Sequence, residues 1–205
     1  MKNWNHVTFG LVLRLALLCL LTASMLPLVT RAQAPVFTIT QDNSSVKFSV
    51  KASVALEGTF AKWDATLAFT SPDVTTGVLD IKIQAASVDT GSGMKDGKLK
   101  SKDFFDVETD PLITFHSNKI AQTGPNTFDV SGDFTIRGVT KPETLTLTVS
   151  GAGTGTGEIK GTMAFDRKDY GMNKGIPLVK IADRVEVTVD LMGKRVSGPP
   201  LVFKP

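Results

Sequence analysis

Apolar and polar residues alternate with a period of two in many short runs between residues 46 and 191. Residues 46–50 alternate Val, Phe and Val with lysine and serine, and residues 145–149 alternate Leu, Leu and Val with threonine. This period is typical of strands with one buried and one exposed face, as in antiparallel sheets. Turn-forming residues such as Ser71-Pro72-Asp73 separate the runs. The pattern predicts an all-β barrel or sandwich of eight to ten strands.

Two stretches lack this alternation. Residues 87–106 are polar and rich in lysine, and we expect a short helical or loop segment near 92–106, with the helix inside Met94–Phe105. Residues 166–182 are the second irregular stretch. The glycines between 151 and 157 indicate a hairpin connection between two strands. No linker or change of composition divides residues 33–205, which we therefore interpret as a single domain.

The first 32 residues have the composition of a secretory signal peptide. They contain Lys2, Arg14 and Arg31 but no acidic residue, and residues 15–29 are almost entirely apolar. A basic start, an apolar core and small residues at the end predict cleavage, for which Ala32 is preferred over Ala34. An uncleaved anchor is the alternative, although the apolar run is short of the about 20 residues that span a bilayer. We therefore expect a periplasmic or secreted protein with no stable membrane span after cleavage.

The charge and the reactive residues exclude several classes of function. The three basic residues of the leader account for the net charge of +3, so residues 33–205 are balanced and favour neither nucleic acid nor an anionic surface. Cys19, the one cysteine, lies in the leader, and His116 is the one histidine outside it. By alternation His116 faces solvent. We therefore expect no zinc or other metal site, no catalytic residues and no enzymatic activity.

Several longer motifs, in order, resemble one protein family. They are SVKFSVKASVALEGTFAKWDATLAF (45–69), SVDTGSGMKDGKLKSKDFFDVETDPLITF (87–115), GDFTIRGVTKPETLTL (132–147), FDRKDYGM (165–172) and VEVTVDL (185–191). The most specific pieces are SKDFFD (101–106), TIRGVTKP (135–142) and DRKDYG (166–171). Together the chain is similar to the YceI family of exported lipid-binding proteins, also called polyisoprenoid-binding proteins. Histidines common in that family are replaced here by Asn43, Ala52 and Lys98, which would alter the preference for a ligand head group.

The resemblance implies an extended, lipocalin-like antiparallel barrel of about eight strands around a long apolar ligand. An interior of eight strands holds one small ligand. The expected function is a non-enzymatic protein that stores or transports a polyisoprenoid, a quinone tail or a fatty acyl lipid, with no other cofactor. The alternative is an exported structural or protein-interaction module with a solid core. An enzyme acting on a hydrophobic substrate comes third and would need a buried acid or an inward Tyr170. A homodimer is expected if the barrel is incompletely closed.

We expect the inward side chains to line a ligand tunnel, although a packed core without a cavity gives the same alternation. The predicted lining residues are Phe48, Val50, Phe60, Leu67, Phe69, Leu79, Ile81, Ile83, Phe104, Phe105, Ile113, Phe115, Phe134, Ile136, Met163 and Phe165. Phe104 and Phe105 would form a lid over the barrel mouth or else plug its end, and Trp63 would pack in the core.

Basic residues of the two irregular stretches and of the TIRGVTKP run (135–142) are candidates for binding an anionic head group: Lys95, Lys98, Arg137 and Arg167. For the lysines the alternative is a solvated loop offset by neighbouring acids. For the arginines it is a structural ion pair with Asp166 or Asp169. Gly138 and Gly171 are interpreted as positions that need positive φ or a close approach of backbone.

Overall fold

The computed structural model describes residues 33–53, 56–151, 153–175 and 179–203. The strands are β1 (Val36–Ala52), β2 (Leu56–Phe60), β3 (Trp63–Ala68), β4 (Val78–Gln84), β5 (Val88–Asp89), β6 (Leu112–Gln122), β7 (Thr127–Ile136), β8 (Val139–Ser150), β9 (Thr156–Asp166) and β10 (Ile181–Ser197). The α-helix, α1, is Gly93–Lys100, and short 3₁₀ turns occupy Val74–Thr76, Ala85–Ser87 and Arg167–Tyr170. The predicted signal peptide lies outside the described residues.

Eight of these strands close into an antiparallel barrel in the order β1-β10-β9-β8-β7-β6-β4-β3, with β3 returning to β1. The closure at β3 rests on the pair Val36–Ala68, while β1 and β10 share the longest ladder. β2 precedes β3, and a bend at residues 61 and 62 separates the two strands. β2 pairs with the second half of β1, and β5 pairs with the other edge of β2. The predicted eight-stranded antiparallel barrel is confirmed.

The period-two pattern holds where it was predicted. On β8, Leu145 and Leu147 are buried while Thr144, Thr146 and Thr148 are exposed. On β7, Gly132 takes an inward position at which a Cβ atom would collide with the backbone of His116 and Ser117. Glycine therefore permits the close approach of β6 and β7 at a local shift in their register.

β1 begins earlier than the predicted strand and contains a bulge. Thr40 pairs with Met192 and Ser45 with Asp190, so several residues of β1 oppose a short step on β10. Asn43, at the centre of the bulge, has φ 60°, a conformation that asparagine tolerates better than most residues. The bulge changes which residues of β1 face inward, because Phe37 and Ile39 precede it and Val46 and Phe48 follow it.

The segment between β5 and β6 folds against one end of the barrel. α1 is shorter than the range predicted to contain it and buries Leu99. The chain then turns, and Phe104 and Phe105 are buried. Among the described residues, no helix has the length and apolar character needed to cross a membrane. The helical segment thus closes one end of the barrel, called here the helix end.

Candidate functional site

The interior of the barrel contains an apolar cavity of about 60 Å³ at the helix end. Phe48, Phe60 and Phe105 meet on one side of it, with ring centroids 5.7–6.3 Å apart. These separations are in the favourable range for aromatic pairs. The other lining residues are Val46, Val50, Leu56, Ile83, Leu99, Phe104, Ile113, Phe134, Ile136, Phe165, Arg167, Met172, Ile181, Val185 and Val187. We call this space the helix-end cavity.

Arg167 is the one charged residue among those that line the helix-end cavity. Its side chain is 8% exposed and its Nη2 donates to Asp183 Oδ1 at 2.9 Å. The same guanidinium also donates to the carbonyl oxygens of Met172, Lys174 and Ala182. Arg167 therefore joins Met172 and Lys174 to the start of β10 at Ala182 and Asp183. Its donors are used internally, which leaves the guanidinium a structural role in this conformation.

Arg137 performs a similar task from the hairpin between β7 and β8. Arg137 and Gly138 have φ of 55° and 68°, as a two-residue hairpin with positive φ at both positions requires. The Arg137 side chain donates to the carbonyl oxygen of Gly171 at 2.5 Å and to that of Lys102 at 2.7 Å. It thus joins three loops of the helix end. Positive φ at Gly138 and Gly171 confirms the interpretation of both glycines.

Tyr170 is fully buried beside these loops. Its ring packs on Phe134 and Phe165, with centroids 5.5 and 5.1 Å away, and its hydroxyl donates to Glu143 Oε1 at 2.9 Å. Burial raises the pKa of Tyr170 well above its usual value, and the hydrogen bond and charge of Glu143 add to this effect. Tyr170 is inward-facing but is not among the residues that line a cavity.

A second apolar cavity, of about 100 Å³, lies at the opposite end of the barrel. Its rim is the connection between β8 and β9, which is rich in glycine, and we call it the glycine-end cavity. Residues that follow β10 also cover it. Its lining residues are Phe37, Ile39, Leu67, Phe69, Val74, Ile120, Phe128, Leu147, Val149, Ser150, Gly151, Gly153, Gly155, Thr156, Gly157, Ile159, Gly193, Arg195, Pro200, Leu201 and Phe203.

Packed side chains separate the two cavities. β9, for example, places Ile159 in the glycine-end cavity, Met163 in neither and Phe165 in the helix-end cavity. β6, β7 and β10 follow the same order. The buried residues between the cavities, which we call the waist, are Ala65, Leu79, Ile81, Phe115, Val130, Leu145, Met163, Val189 and Leu191. In this conformation the interior is therefore two short chambers instead of one tunnel.

The predicted lining residues divide among these three regions. Ten line the helix-end cavity: Phe48, Val50, Phe60, Ile83, Phe104, Phe105, Ile113, Phe134, Ile136 and Phe165. Leu67 and Phe69 line the glycine-end cavity. Leu79, Ile81, Phe115 and Met163 belong to the waist. Contact with a ligand stays a prediction for all of them. Trp63 is buried and lines neither cavity.

The basic candidates are not grouped around one site. Lys98 pairs with Asp103 at 2.8 Å and lies over the Phe104 ring. The hydrogen bond from Lys98 holds the pKa of Asp103 below its usual value. Lys95 lies on α1, half-buried and away from both cavities. Arg167 alone among the four lines a cavity.

The ion-pair partners predicted for Arg137 and Arg167 in the alternative interpretation were wrong. Arg167 pairs with Asp183, and Arg137 binds two carbonyl oxygens, so neither pairs with Asp166 or Asp169. Instead, Asp166 accepts from the backbone of Lys168 and caps a 3₁₀ turn. The expected pairing used neighbours in sequence, whereas the irregular segment folds back and brings Asp183 to Arg167.

His116 faces solvent and its Nδ1 lies 2.6 Å from Asp80 Oδ1. Within the described residues there is no group of three or more His, Cys, Asp or Glu placed to hold a metal ion. Sequence reasoning missed the glycine-end cavity as a separate chamber. Phe37 and Ile39 could have been found, because they alternate with Thr38 and Thr40. No periodic signal marks Pro200, Leu201 and Phe203.

Comparison with known proteins decides the family. The YceI-like domain matches residues 37–192. The chain belongs to this family. A relative called UPF0312 protein, from Pseudomonas syringae pv. syringae, is 38% identical over 87 residues, which are 42% of this chain and 45% of that relative. Protein YceI of Escherichia coli O157:H7 is 37% identical over 90 residues, or 44% and 47% of the two chains. The chain thus spans about half the length of these curated relatives.

Two solved structures are similar to the barrel. BcnA of Burkholderia cenocepacia is 30% identical, with a TM-score of 0.68 over 75% of this chain and 98% of that one. A domain from Saccharophagus degradans, described as polyisoprenoid-binding and implicated in plant cell wall breakdown, is 17% identical. It gives a TM-score of 0.64 over 78% of this chain and 99% of that one. At that identity the second likeness establishes the fold alone.

Proposed function

We propose that this protein is an exported, non-enzymatic carrier or store that holds a long hydrophobic chain inside its barrel. The observation that carries the proposal is the presence of two apolar cavities in line along one barrel axis. The ligand class would be a polyisoprenoid, a quinone tail or a fatty acyl lipid. The first of these is supported by the domain from Saccharophagus degradans described as polyisoprenoid-binding. The leader supports a periplasmic or secreted location.

The size of the cavities sets a condition on this function. They measure about 100 and 60 Å³, whereas typical ligand pockets measure about 300–1,000 Å³. A long chain therefore needs the waist to open. Met163 is suited to this movement because an unbranched thioether side chain adapts to several packings. Each methylene group removed from water contributes about 0.8 kcal/mol, so affinity should depend more on chain length than on the head group.

The first test is native mass spectrometry of the protein purified without denaturant, followed by organic extraction and mass analysis. We expect one co-purifying lipid with a long tail. A clean protein that also fails to bind added long-chain lipids would overturn the proposal. The variant Val185→Phe fills the helix-end cavity from β10 and should weaken lipid binding. Thr188→Phe, outward on the same strand, is the matched control and should leave binding unchanged.

The packing of the waist favours a second candidate, an interaction module with a solid core. Val130 and Leu191 have no exposed surface and lie between the two cavities. If the waist stays closed, no long ligand fits, and the outer face of the barrel would carry the function. In that case organic extraction would release no lipid, and Val185→Phe would bind added lipid no differently from its control, Thr188→Phe.

A further inference from the structure

The chain continues past the last strand and crosses one mouth of the barrel. β10 ends at Ser197, and Gly198 turns the chain with φ 81°. The following residues reach the connection between β3 and β4, where Val202 forms a parallel bridge with Asp73. Phe203 then contacts Phe128 on β7, with ring centroids 6.0 Å apart. We call residues 198–203 the C-terminal strap.

The C-terminal strap closes the glycine-end cavity with side chains of its own. Pro200, Leu201 and Phe203 line the cavity, while Val202 is 62% exposed on the other side. The facing rim consists largely of glycines. A Cβ atom added at Gly153 would meet nothing within 4 Å. The strap therefore supplies apolar side chains where the rim of the barrel offers few.

The attachment of the strap is light compared with the ladders of the barrel. The Val202 amide donates to the Pro72 carbonyl at 2.8 Å, and the Val74 amide to the Val202 carbonyl at 3.4 Å. Arg195 adds a side-chain bond to the Gly198 carbonyl at 3.2 Å. By comparison, β9 and β10 pair through eleven successive residues. Segments with few buried contacts and few backbone bonds open at low free energy.

The strap also lies outside the part of the chain that matches the family. That match ends at residue 192, and the eight strands close without any residue beyond Ser197. The barrel wall is thus complete before the strap begins. The partly buried side chains of Leu201 and Phe203 occupy space that would otherwise extend the glycine-end cavity.

We propose that the C-terminal strap is a removable plug that limits the length of hydrophobic chain the barrel accepts. Leu201 and Phe203 take the place of the end of the ligand. This inference rests on the proposed function, because it assigns the strap a part in the binding of the same apolar ligand. A chain with the strap removed should accept longer ligands and bind them more tightly.

The test compares the full chain with one that stops after Ser197. The probes are geraniol, farnesol and geranylgeraniol, with 10, 15 and 20 carbons, in competition with the fluorescent fatty acid cis-parinaric acid. For the full chain, affinity should rise with length and then level off. For the truncated chain it should continue to rise, with geranylgeraniol bound about tenfold more tightly than by the full chain. Tenfold corresponds to about two additional buried methylene groups.

A second pair of variants keeps the strap and its backbone bonds. Leu201→Ala with Phe203→Ala shortens the inward side chains and should reproduce the effect of truncation. Val202→Ala changes an exposed side chain of the same strap and should match the full chain. Circular dichroism and thermal unfolding establish that each variant is folded.

The outcomes separate the plug from the proposed function. The decisive comparison is between the full chain and two proteins, the truncated chain and the double variant Leu201→Ala with Phe203→Ala. If the full chain binds the probes and these two bind them equally well or more weakly, the strap is part of the wall and the inference is wrong. If neither the full nor the truncated chain binds any probe, the proposed function fails and the plug fails with it. If the truncated chain and the Leu201→Ala, Phe203→Ala variant both bind the longer probes more tightly than the full chain does, and the shorter probes equally, the result supports the plug.

Discussion

The two ends of the barrel are closed by different means. At the helix end, Arg137 and Arg167 donate to backbone carbonyls of the loop at Lys102 and of the loop at residues 171–174, and the Tyr170 hydroxyl donates to Glu143. At the glycine end, a strap lies across the mouth and is bonded mainly through the backbone of Val202. Arg167 and Tyr170 are buried, and hydrogen bonds that satisfy buried polar groups are expensive to break. The comparison indicates a fixed helix end and a movable glycine end.

The largest expected effect comes from removing one phenylalanine at each end. Phe105 is buried in a cluster with Phe48 and Phe60, and Phe105→Ala should lower the free energy of unfolding by about 3–5 kcal/mol. Phe203 is half-buried in the strap, and Phe203→Ala should lower it by about 1 kcal/mol. Urea unfolding followed by circular dichroism measures both. Equal losses would show that the strap is as firmly built as the helix end.

Loss of the Arg137 clamp should have an intermediate effect. Arg137→Asn retains a residue suited to positive φ at the hairpin but removes the bonds to Gly171 and Lys102. We expect a loss of about 1–2 kcal/mol in the free energy of unfolding. Arg184→Asn is the control, because the Arg184 side chain is 70% exposed. A more stable Arg137→Asn protein would mean that backbone strain at Arg137 outweighs its bonds.

Tyr170 reports on the helix end at alkaline pH. Because its pKa is raised in the folded protein, the stability that it contributes is present below pH about 10 and is lost as pH rises above that value. Tyr170 is the one tyrosine of the chain, so absorbance at 295 nm follows its ionisation directly. We expect no ionisation until the barrel unfolds.

Glu143→Gln tests the cause of that shift. It removes the charge near the Tyr170 hydroxyl while leaving an oxygen to accept the hydrogen bond. The onset of ionisation should therefore move to lower pH but stay above the value of an exposed tyrosine, since burial is the largest cause. Ionisation near pH 10 in the folded, unmodified chain would contradict a closed helix end.

The strands and their inward faces could be predicted from the sequence because a period of two follows directly from strand geometry. Phe134 and Ile136 were assigned to the interior on that basis and are buried. The division into two chambers could not be predicted. Phe115 and Phe134 are inward-facing partners in the ladder of β6 and β7, and yet Phe134 lines the helix-end cavity while Phe115 does not.

Ion pairs between irregular segments were equally beyond the pattern. Arg167 lies next to Asp166 in sequence and yet pairs with Asp183, since the chain between them loops back. The strap was missed for a related reason. Its residues have no periodicity, and its role depends on where β10 happens to end relative to β7 and to the turn before β4. The local spacing of residues in the sequence does not show which distant loops come into contact.

The smallest expected effect is on the acid stability of the helix end, measured at pH 7 and at pH 3. The hydrogen bond from Lys168, followed by the charges of Lys168 and Arg167, lowers the pKa of Asp183. A carboxylate with a lowered pKa stabilises the folded state above its ordinary value near 4, and this contribution is lost as pH falls through the folded pKa. Asp183→Asn should therefore unfold at a lower temperature than the unmodified protein at pH 7, and the difference should shrink towards pH 3. Lys168→Met should have less effect in the Asp183→Asn background than alone, because its partner carboxylate is already absent.

A difference between Asp183→Asn and the unmodified protein that persists unchanged to pH 3 would mean that the charge of Asp183 does not stabilise this segment. The rigidity of the helix end would then rest on the carbonyl bonds of Arg137 and Arg167 alone.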